Sequence, residues 1–276
     1  MELELRNVTV SYSAAEKILD NLNLEVNKGL FLGITGKSGS GKTTLLETIC
    51  GFHKPDMGQV LFNNQNIYES EFDTLSFRKK VQMVFQFPEN QFFETEIRRE
   101  VEFGIKNSCL SSEEIIRRVT ETLQTVGLYD EEIDELSPFA LSGGQKRRLA
   151  LACALVLQPE ILLLDEPFSG LDDSGQNQII KILQDIKTKG TTILMVSHDP
   201  NVLCEIADRI IVMNDGRIIK NEIPPIVYSD KQFCSRLGIG QPDTITAANL
   251  LDVDLMNDLT YENFIKELAE KLLQKK

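Results

Sequence analysis

A glycine-rich segment, GKSGSGKTT at positions 36–44, has the composition of a loop that binds phosphate. It fits the pattern G-x-x-x-x-G-K-[ST] through Gly36, Gly41, Lys42 and Thr43. Glycines let the backbone turn tightly and point N–H groups inward, and the helix that follows adds positive potential at its N-terminus. The lysine can reach the β- and γ-phosphates, and the threonine hydroxyl can bind Mg²⁺. The segment therefore predicts a nucleotide site.

Two adjacent acids, Asp165 and Glu166, follow the apolar run EILLL at 160–164. The aspartate can hold Mg²⁺ directly or through water, and the glutamate can polarise an attacking water. Taken alone, two acids after a strand are more often the N-cap of a helix. Because a phosphate loop lies upstream, the catalytic alternative is favoured here.

A second helix start of the same chemical kind lies at LSGGQKRRLALACALVLQ, which begins at Leu141. Ser142, Gly143, Gly144 and Gln145 open a helix whose apolar residues recur at helical spacing. One alternative is an ordinary capped helix with serine at the N-cap. Such a helix start is also an anion site. Nothing in the chain itself explains why one nucleotide would need two of them.

These residues are positioned by four continuous apolar runs, at 30–35, 81–85, 160–164 and 191–197. Continuous apolar strands indicate burial on both faces, and therefore a parallel sheet covered by helices. The runs end in polar or glycine residues, namely Gly36, Gln86, Asp165–Glu166 and His198. Because ligands of open α/β sheets bind beyond the carboxyl ends of the strands, neighbouring strands would bring these residues to one site.

The other segments have simpler patterns. Residues 2–28 are expected to form strands with a bulge near Arg6–Asn7, and 58–67 a strand and a turn. Residues 94–127 are expected to be mostly helical, with loops at 129–140. RIIVMNDGRIIK, from Arg209, predicts a hairpin. After Pro224–Pro225 the tail is mostly helical, with Thr260 as a cap and Phe264, Leu268 and Leu272 stacked at i+4 spacing.

Composition limits the possible functions. A net charge of −13 and a pI near 4.8 argue against nucleic acid as a partner. The basic runs Arg78–Lys80 and Lys146–Arg148 are expected to be solvated faces. Five scattered cysteines without a CxxC indicate small buried thiols in a reducing, cytoplasmic setting. No apolar run approaches the ~18 residues of a membrane span.

In their order and spacing, these segments resemble the ATPase subunits of ATP-binding cassette (ABC) transporters. The resemblance covers about residues 1–222 and rests on Gly36–Thr44, Gln86, Leu141–Gln145, Asp165–Glu166, Ser169–Asp172 and His198. It implies an α/β fold: a P-loop NTPase (RecA-like) core, an antiparallel β subdomain and an ABC-type helical subdomain at about 90–145. A small, mainly helical C-terminal extension would occupy 223–276. In this family two subunits sandwich two ATPs, so the second anion site would meet the partner's nucleotide.

The resemblance also implies individual roles. Tyr12 would stack on adenine, Gln86 would contact Mg²⁺ and the attacking water, and Glu166 would be the catalytic base. Asp172 would cross the subunit interface, and His198 would hold the γ-phosphate. The implied ATP-binding residues are Tyr12, Gly36, Lys37, Ser38, Gly39, Ser40, Gly41, Lys42, Thr43, Thr44, Ser142, Gly143, Gly144, Gln145 and Asp172. The implied Mg²⁺ ligands are Thr43, Gln86 and Asp165.

Two departures from the family pattern stand out. Lys37 adds positive charge to the phosphate loop, and Asp173 stands where proline is frequent. Neither removes a group that ATP hydrolysis needs. His53, one of two histidines, matches no motif.

The segment VFQFPENQFF at 84–93, followed by EVEFGIKN, is similar to energy-coupling factor (ECF) ATPases, which drive uptake of vitamins or of cobalt and nickel. The C-terminal extension is similar as well. This implies a second ATPase subunit, identical or paralogous, a substrate-binding membrane subunit, and a transmembrane scaffold subunit that docks near Phe87, Glu89, Phe92 and Phe93. The protein would then sit peripherally on the cytoplasmic face of the cell membrane, with the extension supporting ATPase pairing.

Other ABC proteins fit less well. Only 100 positions separate Lys42 from Ser142, too few for the coiled coils of chromosome and repair ATPases. The chain holds one cassette, whereas translation factors of this family carry two. A kinase or GTPase would not explain LSGGQ. The ATPase of another ABC importer or exporter is the remaining transport alternative, and a soluble ABC ATPase the remaining non-transport one.

Overall fold

The computed structural model describes residues 2–13, 16–129, 136–255 and 258–274 of the 276. The chain divides into two compact units. We call Met1–Tyr68 with Leu194–Lys276 the P-loop unit, and Glu69–Ile193 the signature unit. The expected boundary at 222/223 falls inside the P-loop unit, between a strand and a helix, and stays a prediction.

The described strands are β1 (Leu3–Ser13), β2 (Glu16–Val26), β3 (Phe31–Gly36), β4 (Met57–Phe62), β5 (Gln65–Asn66), β6 (Val81–Val84), β7 (Ile161–Asp165), β8 (Thr192–Val196), β9 (Arg209–Asn214) and β10 (Arg217–Glu222). The described helices are α1 (Lys42–Ile49), α2 (Thr74–Lys80), α3 (Ile97–Phe103), α4 (Ser112–Thr125), α5 (Gly143–Leu155), α6 (Asp173–Thr188), α7 (Pro200–Ile206), α8 (Pro224–Tyr228), α9 (Lys231–Leu237), α10 (Asp243–Leu251) and α11 (Tyr261–Gln274). Short 3-10 helices lie at Pro88–Gln91 and Pro138–Ala140.

The P-loop unit contains an antiparallel sheet with strand order β2-β1-β4-β5. Its register shifts between Leu5 and Val8, and Asn7 there has a φ of 51°. The shift confirms the expected bulge. It lets Val8 and Val10 be buried along with Leu5 although the two groups differ in phase.

The P-loop unit also holds parallel strands. β3 pairs with β9 in parallel, and β10 returns as the antiparallel partner of β9. Positive φ at Asp215 and Gly216 fits a two-residue hairpin turn. The N–H of Ser197, at the end of β8, donates to the carbonyl of Ile34 in β3 (3.1 Å). The strand ends that precede Gly36 and His198 are therefore neighbours.

In the signature unit, β6 and β7 pair in parallel, with Val84 opposite Leu164. All residues of β7 are buried, whereas Gln82 and Met83 of β6 are half-buried. Full burial is thus confirmed for β3, β7 and β8 within the runs at 30–35, 160–164 and 191–197, whose first residues are half-buried, and is wrong for 81–85. The reason is that β6 has β7 as its only neighbour among the described strands.

The tail forms α8 to α11, and Thr260 Oγ accepts the Asn263 N–H (3.3 Å), as expected for a cap. Of the three stacked apolar residues, Phe264 is buried but Leu272 is 60% exposed. Among the cysteines Cys234 is buried and Cys109 exposed, so the expectation of buried thiols holds only in part. Within the described part of the chain, no helix has the length and hydropathy to cross a membrane.

Candidate functional site

The phosphate loop follows β3 and can only be built with glycine at two points. A Cβ on Gly36, whose φ is 144°, would lie 2.1 Å from the Met213 carbonyl oxygen. A Cβ on Gly41, whose φ is 95°, would lie 2.7 Å from the Ile18 carbonyl oxygen. Gly216, in the β9–β10 turn, donates its N–H to the Ser40 carbonyl (3.2 Å). The loop therefore packs closely against β2 and the β9–β10 hairpin.

Polar groups inside the loop suit a phosphate chain. Lys42 is buried, and its Nζ donates to the carbonyls of Gly36 (2.9 Å) and Lys37 (2.8 Å). Ser40 Oγ is buried without a hydrogen-bond partner among the described residues. Such an orphaned hydroxyl is costly unless a ligand bonds to it. The cradle therefore fits a triphosphate.

Two hydroxyls follow the lysine at the start of α1. Thr43 is exposed, and Thr44 is buried with its Oγ1 3.3 Å from the Tyr12 hydroxyl. The Tyr12 side chain is 62% exposed at the end of β1. A tyrosine this open is not a packing residue, so its ring is available to a flat ligand beside the phosphate loop.

His198 is exposed on the turn after β8. Asp199 shapes this turn: its N–H donates to Ser197 Oγ (3.1 Å) and its carboxylate accepts the N–H of Asn201 (2.8 Å). The P-loop unit thus contains the predicted phosphate loop, Tyr12 and His198.

The acids lie in the signature unit. Asp165 is buried at the end of β7, and Glu166 follows with a φ of 48°. This left-handed conformation is unfavourable for glutamate and is typical of functional turns. Gln86 follows the end of β6, the neighbour of β7. Gln86 and the two acids are therefore brought to the same edge of this pair of strands.

Arg147 contradicts the expectation that the basic run 146–148 is a solvated face. It is only 7% exposed, its Nη1 donates to the Gln86 carbonyl, and its Nη2 donates to the Ser169 carbonyl (3.2 Å). Arg148 is half-buried and donates to the Gly127 carbonyl (2.8 Å), and burial lowers the pKa of its guanidinium. Arg147 thus ties the signature helix to the turns after β6 and β7, a role that its sequence context did not reveal.

The signature segment forms a capping box. Ser142 Oγ accepts the Gln145 N–H (3.3 Å), and Gln145 Oε1 accepts the Ser142 N–H (2.9 Å). Both the capped-helix alternative and an exposed anion site at this helix start are compatible with this geometry. A Cβ on Gly143 would meet no described atom within 4 Å. Packing among the described residues therefore gives no reason for glycine at this position.

Asp172 is exposed and caps α6, since its carboxylate accepts the Gly175 N–H (2.9 Å). The cap fixes the carboxylate at the surface of the signature unit. Its expected role across an interface stays a prediction.

The aromatic segment after β6 is only partly exposed. Phe87 and Phe93 are 54% and 57% exposed, but Phe92 is 8% exposed. The expectation that Phe92 faces a partner is wrong, because its ring packs inward as a wall of a cavity of about 230 Å³ beside α5. The side chain of Glu89 lies outside the described part of the structure.

Two further residues complete this surface. Phe103, 52% exposed, packs edge-on against Phe93 with ring centroids 4.6 Å apart. Buried Glu100 accepts the N–H groups of Phe93 (3.0 Å) and Glu94 (2.8 Å), which fixes the loop. Burial, and then the Glu100 carboxylate, raise the pKa of the Cys153 thiol in the same cavity. We call Phe87, Phe93 and Phe103 the aromatic rim.

Comparisons with known proteins agree with these features. The family model described as ABC transporter matches residues 19–169. The energy-coupling factor transporter ATP-binding protein EcfA2 of Clostridium tetani is 38% identical over 88% of this chain and 86% of its own length. EcfA2 of Clostridioides difficile is 36% identical over 98% and 97%. EcfA of Methanothermobacter thermautotrophicus is 34% identical over 97% and 88%.

Solved structures give the same result for the fold. The structure of cbiO1 from Clostridium perfringens, described as part of the ABC transporter complex cbiONQ, has a TM-score of 0.77 at 32% identity, covering 91% of this chain and 98% of its own. A dimeric ATP-binding cassette in a post-hydrolysis state, bound to ADP and Pi, has a TM-score of 0.73 at 34% identity, covering 80% and 98%. The expected fold class is confirmed: this is an ATPase with the fold of an ATP-binding cassette. The chain belongs to the ABC transporter family, among its energy-coupling factor ATP-binding proteins.

Proposed function

We propose that this chain hydrolyses Mg²⁺-bound ATP to energise an energy-coupling factor importer of micronutrients, either vitamins or cobalt and nickel ions. The phosphate loop carries the proposal. A buried lysine and a buried Ser40 hydroxyl without a hydrogen-bond partner among the described residues lie in a loop whose backbone requires glycine at positions 36 and 41. The relatives named as energy-coupling factor ATP-binding proteins support the choice of transporter.

Each residue has a proposed role in this chemistry. Lys42 and the loop N–H groups bind the β- and γ-phosphates, and Tyr12 stacks on adenine. Thr43, Gln86 and Asp165 are the ligands proposed for Mg²⁺, whose oxygen preference they match. When bound, the ion neutralises phosphate charge and orients the γ-phosphate. The other loop residues proposed to contact the nucleotide are Lys37, Ser38, Gly39, Ser40 and Thr44.

Glu166 is the proposed base that accepts a proton from the attacking water, and His198 holds the γ-phosphate. The strained backbone of Glu166 supports this role, since an unfavourable φ persists where function requires the orientation. Replacing Glu166 by glutamine should leave ATP binding intact and abolish turnover, because the amide cannot accept the proton. Glu69→Gln, at an exposed position, is the control. Undiminished ATPase activity in the Glu166 variant would refute the assignment.

The protein is proposed to act as a pair of ATPase subunits, identical or paralogous. Ser142, Gly143 and Gly144 would meet the γ-phosphate held by the other subunit, and Asp172 would lie at the interface. The open space around Gly143 supports this, because a glycine that no described residue of its own chain requires suits close approach by a partner. In the extension, exposed Leu250 and Leu273 (82% and 70%) offer apolar surface for the same pairing.

Docking to the membrane subunits is proposed at the aromatic rim. Exposed Phe93 and Phe103 line the cavity, exposed Phe87 lies nearby in sequence, and such a surface fits an apolar or basic helix of a transmembrane scaffold subunit. On this proposal, the protein is a peripheral subunit on the cytoplasmic face of the membrane, with a substrate-binding membrane subunit in the same assembly. Buried Phe92 would support the rim rather than touch the helix.

Docking can be tested by changing Phe87 and Phe93 to serine together. Both side chains are exposed, so the melting temperature should hold while the membrane subunits are lost on purification in mild detergent. Phe139→Ser, at a 57% exposed position in the same unit, is the matched control. If the double variant still co-purifies with membrane subunits and supports transport, the rim is not the docking site. Recovery of the wild type without any membrane subunit would refute the transport role itself.

A further inference from the structure

His53 has no part in the chemistry described so far. It lies in the loop between α1 and β4, with its side chain 35% exposed. Its neighbours in space are the residues beside the phosphate loop.

His53 is part of a chain of side-chain contacts that begins and ends on α1. The Tyr12 hydroxyl lies 3.3 Å from Thr44 Oγ1, and the Tyr12 and His53 rings meet edge-on, with centroids 5.7 Å apart and planes at 70°. His53 Nε2 lies 3.1 Å from Glu47 Oε2. Thr44 and Glu47 are one turn apart on α1, the helix that follows the phosphate loop.

Glu47 determines how the histidine ring is oriented. The imidazole Nε2 and the Glu47 carboxylate are within hydrogen-bond distance of each other. Rotation of the ring away from Tyr12 would break this contact with Glu47. An edge-to-face pair is a favourable arrangement of two aromatic rings.

The loop that carries His53 is anchored by bonds that do not use the imidazole. The Tyr68 hydroxyl donates to the His53 carbonyl (2.6 Å), and burial raises the pKa of Tyr68 to about 12, so this donor keeps its proton. Asp56 accepts the Ser11 N–H (2.8 Å) on the strand of Tyr12. Loss of the imidazole should therefore leave the loop in place.

We propose that His53 is a positioning residue for the nucleotide base, which holds the Tyr12 ring in register with the phosphate loop. Thr44 contacts the hydroxyl of Tyr12, and His53, which is bonded to Glu47, contacts its ring. Both ends of the Tyr12 side chain are therefore positioned by residues of α1. The open part of the Tyr12 ring then stacks on the base of a nucleotide whose phosphates lie in the loop. This rests on the proposed function, since it requires Tyr12 to be the platform for adenine.

The test is the His53→Ala variant, with ATP and inorganic tripolyphosphate as probes. Loss of the ring pair should raise the KM for ATP about fivefold while kcat changes less than about twofold. Inhibition by tripolyphosphate, which has no base, should be unchanged. An equal loss of affinity for ATP and tripolyphosphate would overturn the proposal, because it would mean general damage to the phosphate loop.

A double-mutant cycle with Tyr12→Ala separates this inference from the proposed function. Tyr12→Ala alone should weaken ATP binding about tenfold or more, and adding His53→Ala should cost nothing further. His53→Phe, which keeps the ring contact, should have a KM for ATP close to that of the wild type. Tyr261→Ala, at a 68% exposed tyrosine, is the control.

The failures are distinguishable. If Tyr12→Ala leaves ATP affinity unchanged, the adenine platform of the proposed function is wrong. If Tyr12→Ala weakens ATP binding but His53→Ala does not, or if the two losses add, His53 does not act through Tyr12.

Discussion

Replacing Arg147 by methionine should destabilise the fold and slow ATP turnover. Methionine keeps much of the buried volume but removes donors to the carbonyls of Gln86 and Ser169. Ser169 is exposed, so water can replace the lost bond there, whereas Gln86 is half-buried. One carbonyl left without its donor costs about 2 kcal/mol. For a chain of this size, that lowers the melting temperature by about 4–8 °C.

Turnover should fall as well, because the carbonyl of Gln86 is held by Arg147 and the Gln86 side chain is a proposed Mg²⁺ ligand. Misplacement of a positioning group by a fraction of an ångström to 1 Å slows reactions by about tenfold to a hundredfold. The assays are thermal melting without nucleotide and steady-state ATPase activity. Arg78→Met, at an exposed arginine of the same unit, is the control. If both variants melt and turn over ATP alike, Arg147 does not hold these turns.

Two further predictions concern the signature and the half-buried thiol of Cys153. Gly143→Ala should melt like the wild type, since its Cβ enters open space. It should nevertheless lose ATP-dependent pairing, as measured by size-exclusion chromatography with light scattering. Unimpaired pairing would contradict the proposed approach of a second subunit. Cys153, whose pKa is raised by burial and Glu100, should react with iodoacetamide at pH 8 far more slowly than exposed Cys109, as mass spectrometry would show. Equal rates would contradict the raised pKa. The folded-state pKa lies above the ordinary value of 9.0, so the stability from neutral Cys153 is complete below pH 9 and declines as the pH rises above it.

Several elements were predictable because their signals are local. The glycines of the phosphate loop are required by backbone conformation at Gly36 and Gly41 themselves. Strands such as β7 are continuous apolar runs, and their ends are marked by a change to polar residues within one or two positions. Ser142 and Gln145 satisfy each other's backbone within a single turn. Such features need no distant partner, so residue types and spacing were enough.

Other features depended on contacts between distant parts of the chain. The sequence predicts Arg147 to be one of three solvated charges, but its burial follows from carbonyl partners, one of which lies 61 positions away. Phe92 and Phe93 are adjacent and identical in type, yet packing buries the first and exposes the second. No pattern of residue types distinguishes those two outcomes.

By itself, the sequence therefore determined the chemistry available to this protein: a phosphate loop, an acidic strand end, a signature helix and the family to which they belong. The tertiary structure alone decided which side chains support that chemistry. Arg147 holds the Gln86 turn, Glu100 holds Phe93 of the aromatic rim, and His53 contacts Tyr12. The physical reason is that backbone conformation and burial periodicity are encoded over a few residues. The partner of a buried charge or an aromatic edge is chosen by folding, which brings together residues that are far apart along the chain.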